Sequence, residues 1–210
     1  MADVKGTGKR ALKAQQTRRR ILEAARELFV ERGYGATMLQ DVATQAGVAV
    51  QTIYFVFGNK RNLLKELVDL AIAGDQEPVA TMDRPWFREA LAAETSDAHL
   101  RAHVRGTREI LERVAPILKM VDTAALADPE VAGVWHQDED PRFAVHATAA
   151  TALMAKPGAR PGVPAEKAAD VLFCVLSPEL YLLFVRDRGW SPEEWEEWAH
   201  DCLRSQLCSA

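Results

Sequence analysis

Residues 40–57 read QDVATQAGVAVQTIYFVF, two short apolar-periodic runs divided by Gly47. Ala43 is small where a second helix must cross the first, and Gly47, four residues on, supplies the positive φ of a tight turn. Val42, Val48 and Ile53 form the wedge that holds the two runs at a steep angle. The spacing is that of a helix-turn-helix; the plain alternative is a helical corner inside an ordinary helical protein. Just upstream, Thr37-Met38-Leu39-Gln40 has the pattern of a capping box, the Thr37 hydroxyl and the Gln40 side chain satisfying free backbone amides. It opens a first run that ends at Ala46. The second run covers 49–55.

Working outward, Ile21, Leu22, Ala25, Leu28 and Phe29 fall at helical spacing and Gly33 stops them, which predicts a helix over 17–32. Residues 1–14, MADVKGTGKRALKA, hold little apolar content and are expected as a flexible basic arm. Arg18, Arg19 and Arg20 crowd the first turn of that helix, where cations are disfavoured unless an external anion neutralises them. Residues 1–62 hold 11 Lys/Arg against 5 Asp/Glu, residues 63–210 hold 15 against 25, and the net charge is −4. A basic end on an acidic body suits an end that meets a polyanion, with a merely solvated tail as the alternative.

Downstream, Gly58-Asn59-Lys60 leads into an amphipathic helix over 60–73, with Leu63, Leu64, Leu67, Leu70 and Ala71 inward. A short helix is expected over 85–94. A long one, capped by Ser96 or Asp97, carries Leu100, Val104, Ile110, Leu111 and Val114 to a break at Pro116. Another runs from Asp128-Pro129 to Met154 with a kink at Pro141. KPGARPGVP, residues 156–164, is a loop, and helices come next over 164–177, 178–188 and 191–207. The last start is the most complete: Ser191 caps, Pro192 takes the first helical position, Glu194 closes the box, and Trp190 and Trp195 hold the staple positions. No stretch alternates with period two, so the fold is expected to be all-α with about nine helices.

Several classes are set aside. No run of about 18 apolar residues is read, so no membrane span is expected. The basic, polar N-terminus lacks the apolar stretch of a secretory signal, which makes the expected compartment cytoplasmic. Cys174, Cys202 and Cys208 form no Cys-x-x-Cys and argue against a disulfide framework or zinc ribbon. Cys174 sits in an apolar run and is expected as an inert core thiol, whereas Cys202 and Cys208 could be redox-sensitive. No Gly-x-Ser-x-Gly, Walker loop or Gly-x-Gly-x-x-Gly occurs, so neither an enzyme nor a cofactor is expected. His99 and His103, four apart on a helix, could share a metal, with His136, Asp138, Glu139 and Asp140 as acidic company. Spacing fixes no third ligand, and no metal site is assigned.

Residues 17–64 resemble the N-terminal domain of the TetR family of bacterial transcriptional regulators. The likeness runs through ILEAARELFVERGYGATMLQDVATQAGVAVQTIYFVFGNKRNLL, in Phe29…Gly33-Tyr34, Asp41-Val42-Ala43, Ala46-Gly47-Val48, Thr52-Ile53-Tyr54-Phe55 and Phe57-x-x-Lys60. The C-terminal LSPELYLLFVRDRGWSPEEWEEW is also similar to a sequence of many members. The resemblance implies a helix-turn-helix DNA-binding domain over 15–62, behind the arm, and a helical ligand-binding and dimerisation domain over 63–208. It implies that the helix near 49–55 enters the major groove of double-stranded DNA while flanking groups hold phosphates. By that likeness Thr37, Thr52 and Tyr54 give hydroxyls to phosphates, and Lys60 adds a charge beside the first amides of its helix. Gln51 is the favoured base reader, because its amide pairs bidentately with adenine; Gln40 is secondary, and Val50 suits a thymine methyl. Tyr54 also suits the core and Gln40 a cap. Many members have Ser where Ala49 stands, often a basic residue at Val50 and a His at Val56; losing the Ser forgoes roughly 1 kcal/mol of capping.

One short helix makes too few contacts for specific affinity, so a homodimer on a palindromic operator is expected. Its surface should come from the last helices, whose Val171, Leu172, Val175, Leu180, Leu183, Phe184, Trp198 and Leu203 exceed what one face needs; intramolecular core is the alternative. The resemblance also implies a small-molecule effector pocket among the variable helices. Its candidate lining is His103, Arg108, Met120, Trp135, Phe143, His146 and Met154. The expected function is a ligand-responsive repressor, and the competing one is a helical binding module whose DNA-binding head is vestigial.

Overall fold

The computed structural model describes residues 4–75, 77, 79–135 and 140–209, with side chains from Arg10 onward except at 130, 132 and 135. The helices are α1 (Val4–Arg32), α2 (Leu39–Ala46), α3 (Val50–Phe57), α4 (Lys60–Ala73), α5 (Pro85–Ala92), α6 (Ser96–Ala125), α7 (Pro129–Trp135), α8 (Pro141–Met154), α9 (Ala165–Val175), α10 (Pro178–Leu182) and α11 (Pro192–Leu207). A 3-10 turn, Thr81–Asp83, precedes α5, and α10 runs on into a π turn, Leu183–Asp187. Apart from an antiparallel bridge between Ala159 and Cys208, no strand pairing occurs among the described residues. The all-α fold is as expected.

One compact unit comprises the residues up to 69 together with 120–135. α2 packs on α1 and α3 packs on α2. Val42, Ala43 and Ile53 are fully buried, so the crossing and the wedge are both present. Gly47 sits at φ 64, and the Val48 N–H donates to the Ala43 carbonyl at 3.0 Å, closing α2. A Cβ at 47 would find no atom nearer than Arg20 at 3.9 Å, so backbone conformation rather than crowding asks for glycine.

The other unit comprises 70–119 and the residues from 140 onward. α8 packs along α9, α5 packs on α8, and α11 packs on α9. Phe87, Leu100, Leu153, Leu172 and Trp195 are among its fully buried large side chains. α11 starts as expected: Ser191 Oγ accepts from the Glu194 N–H at 3.1 Å, and the Ser191 N–H donates to Glu194 Oε2 at 2.7 Å.

Several boundaries differ from expectation. α1 starts at Val4, so the stretch expected as an arm is helical from there. Its Lys, Arg, Ala and Leu are good helix formers, Gly6 and Gly8 are poor ones, and extending an existing helix needs no new nucleus. Arg18, Arg19 and Arg20 therefore lie about four turns inside α1, and the helix-terminus cost inferred for them does not arise. The cap of α2 is Met38, not Thr37, and Asp41 rather than Gln40 closes the box, its Oδ2 accepting from the Met38 N–H at 2.9 Å.

Pro116 does not break α6. Val114, Ile117, Leu118 and Val121 are buried around it. Burying such side chains, roughly 1.5–3 kcal/mol each, outweighs the roughly 3 kcal/mol of an internal proline. Pro141 starts α8 instead of kinking a longer helix: Asp140 caps it, accepting from the Arg142 N–H at 2.9 Å, and proline fills a position that needs no N–H. Among the described residues no run of 18 is apolar throughout, since Glu166, Lys167, Asp170 and Glu179 punctuate the one candidate stretch. Ala165–Asp187 contains an 18-residue window of mean hydropathy 1.8, long and apolar enough by composition to span a bilayer, although Ser177 and Pro178 interrupt it.

Candidate functional site

α3 has two unlike sides. Ile53 and Phe57 point inward and are buried, and Val50, Thr52 and Val56 are half-buried. Gln51 is exposed, Tyr54 is 53% exposed and Phe55 is 91% exposed. Gln51, Tyr54 and Phe55 share one helical face through i, i+3 and i, i+4 spacing. Sequence reasoning passed over Phe55; the available signal was that it falls out of phase with the inward pair Ile53 and Phe57. Ala49 caps α3 without a side-chain hydrogen bond, as its residue type requires.

Other expected DNA contacts are placed differently. Thr37 is buried, and its hydroxyl is within donating distance of the Gly33 carbonyl at 2.9 Å and the Leu28 carbonyl at 3.2 Å. Its proton is spent on the end of α1, which corrects the phosphate role expected of it. Gln40 is exposed on the first turn of α2, where its carbonyl accepts from the Thr44 hydroxyl at 2.8 Å. Lys60 turns inward: its ammonium donates to the Tyr34 carbonyl and lies 4.1 Å from the centre of the Tyr34 ring. Burial lowers its pKa from the usual lysine value, with the Asp128 carboxylate acting in the opposite direction. Arg18 pairs with Glu66 and lies over the Phe57 ring at 4.9 Å, while Arg19 pairs with Glu23 at 2.8 Å.

Of the seven expected effector-pocket side chains, His103 and His146 meet, with Nε2 of one 3.1 Å from Nδ1 of the other. Phe143 reaches them through Phe173, at ring separations of 5.7 and 6.2 Å. Arg108 is instead tied to Glu196 at 3.0 Å and Glu112 at 3.1 Å. Met120 belongs to the first unit, Met154 is half-buried at the end of α8, and the Trp135 side chain lies outside the described residues. A recess of about 330 Å³ opens among other groups, including Ile72, Trp86, Gly106, Glu109 and Ile110. Burial holds His99 and His146 down to about 4 and His103 well below its usual value, so all three are neutral at pH 7. Among the described residues no three His, Cys, Asp or Glu side chains are grouped to hold a metal, and His136, Asp138 and Glu139 lie outside those residues.

The expected dimer residues divide. Leu172 and Leu203 are fully buried within the subunit, which corrects their assignment to an interface. Val171, Val175, Leu180, Phe184 and Trp198 are half-buried and Leu183 is 48% exposed. Cys174 is exposed on α9, not a core thiol, because the apolar run of that helix is wider than the face it buries; Cys208 is buried and Cys202 half-buried.

A fixed turn presenting one exposed helix face, in a chain whose second helical unit has a buried polar centre, defines a helix-turn-helix protein with a separate helical body. Residues 21–67 match the profile of bacterial regulatory proteins, tetR family. The HTH-type transcriptional regulator TtgR of Pseudomonas putida is 46% identical over 56 residues, a match that covers 27% of either chain. The uncharacterized HTH-type transcriptional regulator TtgW of the same species is 32% identical over 93 residues, 43% of this chain and 68% of that one. The structure of NalD, the secondary repressor of the MexAB-OprM multidrug efflux pump in Pseudomonas aeruginosa, superposes with a TM-score of 0.63 at 21% identity, covering 92% of this chain and 97% of that one. The chain belongs to the TetR family.

Proposed function

We propose that the protein is a transcriptional repressor that binds a palindromic operator as a homodimer and leaves it when a small molecule occupies the second unit. The observation that carries this is the outward face of α3, where Gln51, Tyr54 and Phe55 stand in solvent while Ile53 and Phe57 anchor the helix from behind. An exposed phenyl ring beside Gln51 fits an apolar contact in the major groove, most simply a thymine methyl. Gln51 reads adenine beside it, Tyr54 and Thr52 give hydroxyls to phosphates, and Val50 and Gln40 flank the contact. Lys60 serves phosphate by exchanging the Tyr34 carbonyl for it. Val171, Val175, Leu183 and Phe184 supply the apolar surface on which two copies pair, setting two α3 helices about one turn of DNA apart. A compact dimer seated on a promoter in the cytoplasm excludes polymerase by occupancy, in keeping with the repressor role that NalD's description gives that protein.

A second reading is favoured by the uncapped start of α3 and the inward Lys60: a ligand-binding module with a weakened DNA-binding head. A gel shift with the intergenic DNA upstream of the protein's own gene, at two salt concentrations, separates the two. The repressor holds one sequence selectively at both. The module gives only association that salt erases.

A further inference from the structure

His99 and His103 stand four apart on α6 with ring centroids 6.3 Å apart, and His103 meets His146 of α8 at 5.3 Å. All three are buried. The hydrogen bond between His103 and His146 uses one nitrogen of each ring. Both nitrogens of His99 and Nδ1 of His103 are buried without any partner, a condition that native interiors avoid because the group has lost water and gained nothing. The surroundings are aromatic. Trp86 lies 5.9 Å and Phe87 6.1 Å from the His103 ring. Trp86 can press against α6 only because residue 106 is glycine, since a Cβ there would fall 2.1 Å from the indole. The same Trp86 and Gly106 line the 330 Å³ recess.

Apart from the exposed Glu109 carboxylate at the recess, the charges nearby are already engaged. In the recess Arg84 pairs with Asp75 at 2.5 Å, and the Arg113 guanidinium donates to the Ala71 carbonyl at 3.0 Å. Lys156, beside His99, donates to the Leu91 and Ala93 carbonyls at 2.9 and 2.7 Å, and Arg142, beside His146, pairs with Asp140 at 2.6 Å. A neutral imidazole offers one donor and one acceptor. The two nitrogens of one ring point apart, so a hydroxyl group, which donates and accepts at once, matches one orphaned nitrogen of His99 together with Nδ1 of His103, and an aromatic body suits the indole and phenyl walls.

We propose that His99, His103 and the Trp86 ring form the effector site, and that it takes an uncharged aromatic molecule bearing a hydroxyl group. The identity of the site as an effector site rests on the repressor reading above. Calorimetric titration of the full chain with 2-naphthol and with naphthalene tests it. Wild type is expected to bind 2-naphthol at least tenfold more tightly, and His99→Leu to bring the ratio near one without lowering the melting temperature of the unliganded protein. Gly106→Ala, which drives the indole off α6, is expected to weaken both probes alike by tenfold or more. Equal affinities in wild type, or binding of neither probe, overturn the proposal. So does a His99→Leu protein that melts lower and keeps the wild-type ratio, the behaviour of an imidazole held by structural water. Naphthol that binds as expected but never releases operator DNA removes the repressor reading and leaves the site. Release that survives His99→Leu removes the site and leaves the reading.

Discussion

α3 leaves a phenyl ring in water, whereas the second unit seals three imidazoles away from it. Each inverts the usual partition of apolar inside and polar outside, but only the buried imidazoles cost stability, since the phenyl ring is as solvated in the unfolded chain. The two differ in what supports them. α3 spans Val50–Phe57, and the local pattern of Ile53 and Phe57 holds it in place. The imidazoles are brought together from α6 and α8, and only the packing of those helices keeps them neutral. An exposed helix face can be built from a few neighbouring residues; a buried polar centre needs a whole unit.

The contrast breaks most sharply under Ile53→Ala and Phe55→Ala. Removing the buried Ile53 side chain is expected to cost about 2–5 kcal/mol in a denaturant titration. Removing Phe55, already in solvent, should stay within about 0.5 kcal/mol, while operator affinity falls and the preference for thymine over uracil at one position disappears. An equal loss of stability in both variants would mean that α3 has no outward face to offer. Gln51→Ala is expected to cost about 1–3 kcal/mol of discrimination at a single base pair. Lys60→Ala should instead weaken binding to all sequences and reduce the salt slope by about one.

Acid tests the other side. His99 and His146 bind protons at about 4 in the folded protein and at about 6.5 when unfolded, where the free side chain titrates. The unfolded chain therefore binds more protons over that interval, and stability falls as the pH drops from about 6.5 towards 4. Urea midpoints across that range should trace the fall, and a His99→Leu, His146→Leu double variant should make it shallower, leaving the part that His103 contributes. The smallest effect is expected at Ser191→Ala, about 1 kcal/mol from losing the cap of α11, read as a shift in the thermal midpoint with DNA binding untouched.

What could be read without coordinates was local. Gly47, Ala43 and the Ser191–Glu194 box act within a few residues, and α4 keeps the bounds that its leucines suggest. Residues 4–14 gave no sign of helix because a polar stretch has no apolar phase to detect and Gly6 and Gly8 speak against one. Thr37 was misplaced because its hydrogen bonds run back to α1. The imidazole centre was half visible: His103 and His146 were named, but the orphaned nitrogens of His99 depend on what does not approach them, and no pattern of spacing encodes that.

The π turn at Leu183–Asp187 bonds each residue to the fifth along rather than the fourth, so it accommodates a supernumerary link. Phe184 lies within it, its ring 4.6 Å from Trp190 and 4.4 Å from Trp198. Excising Val185 would return the turn to α spacing and shorten by one residue the link from Phe184 to Trp190, whose N–H donates to the Phe184 carbonyl at 3.1 Å, straining the aromatic seam without altering any of its three rings. The outer surface of this region is thus governed by chain length as much as by residue identity.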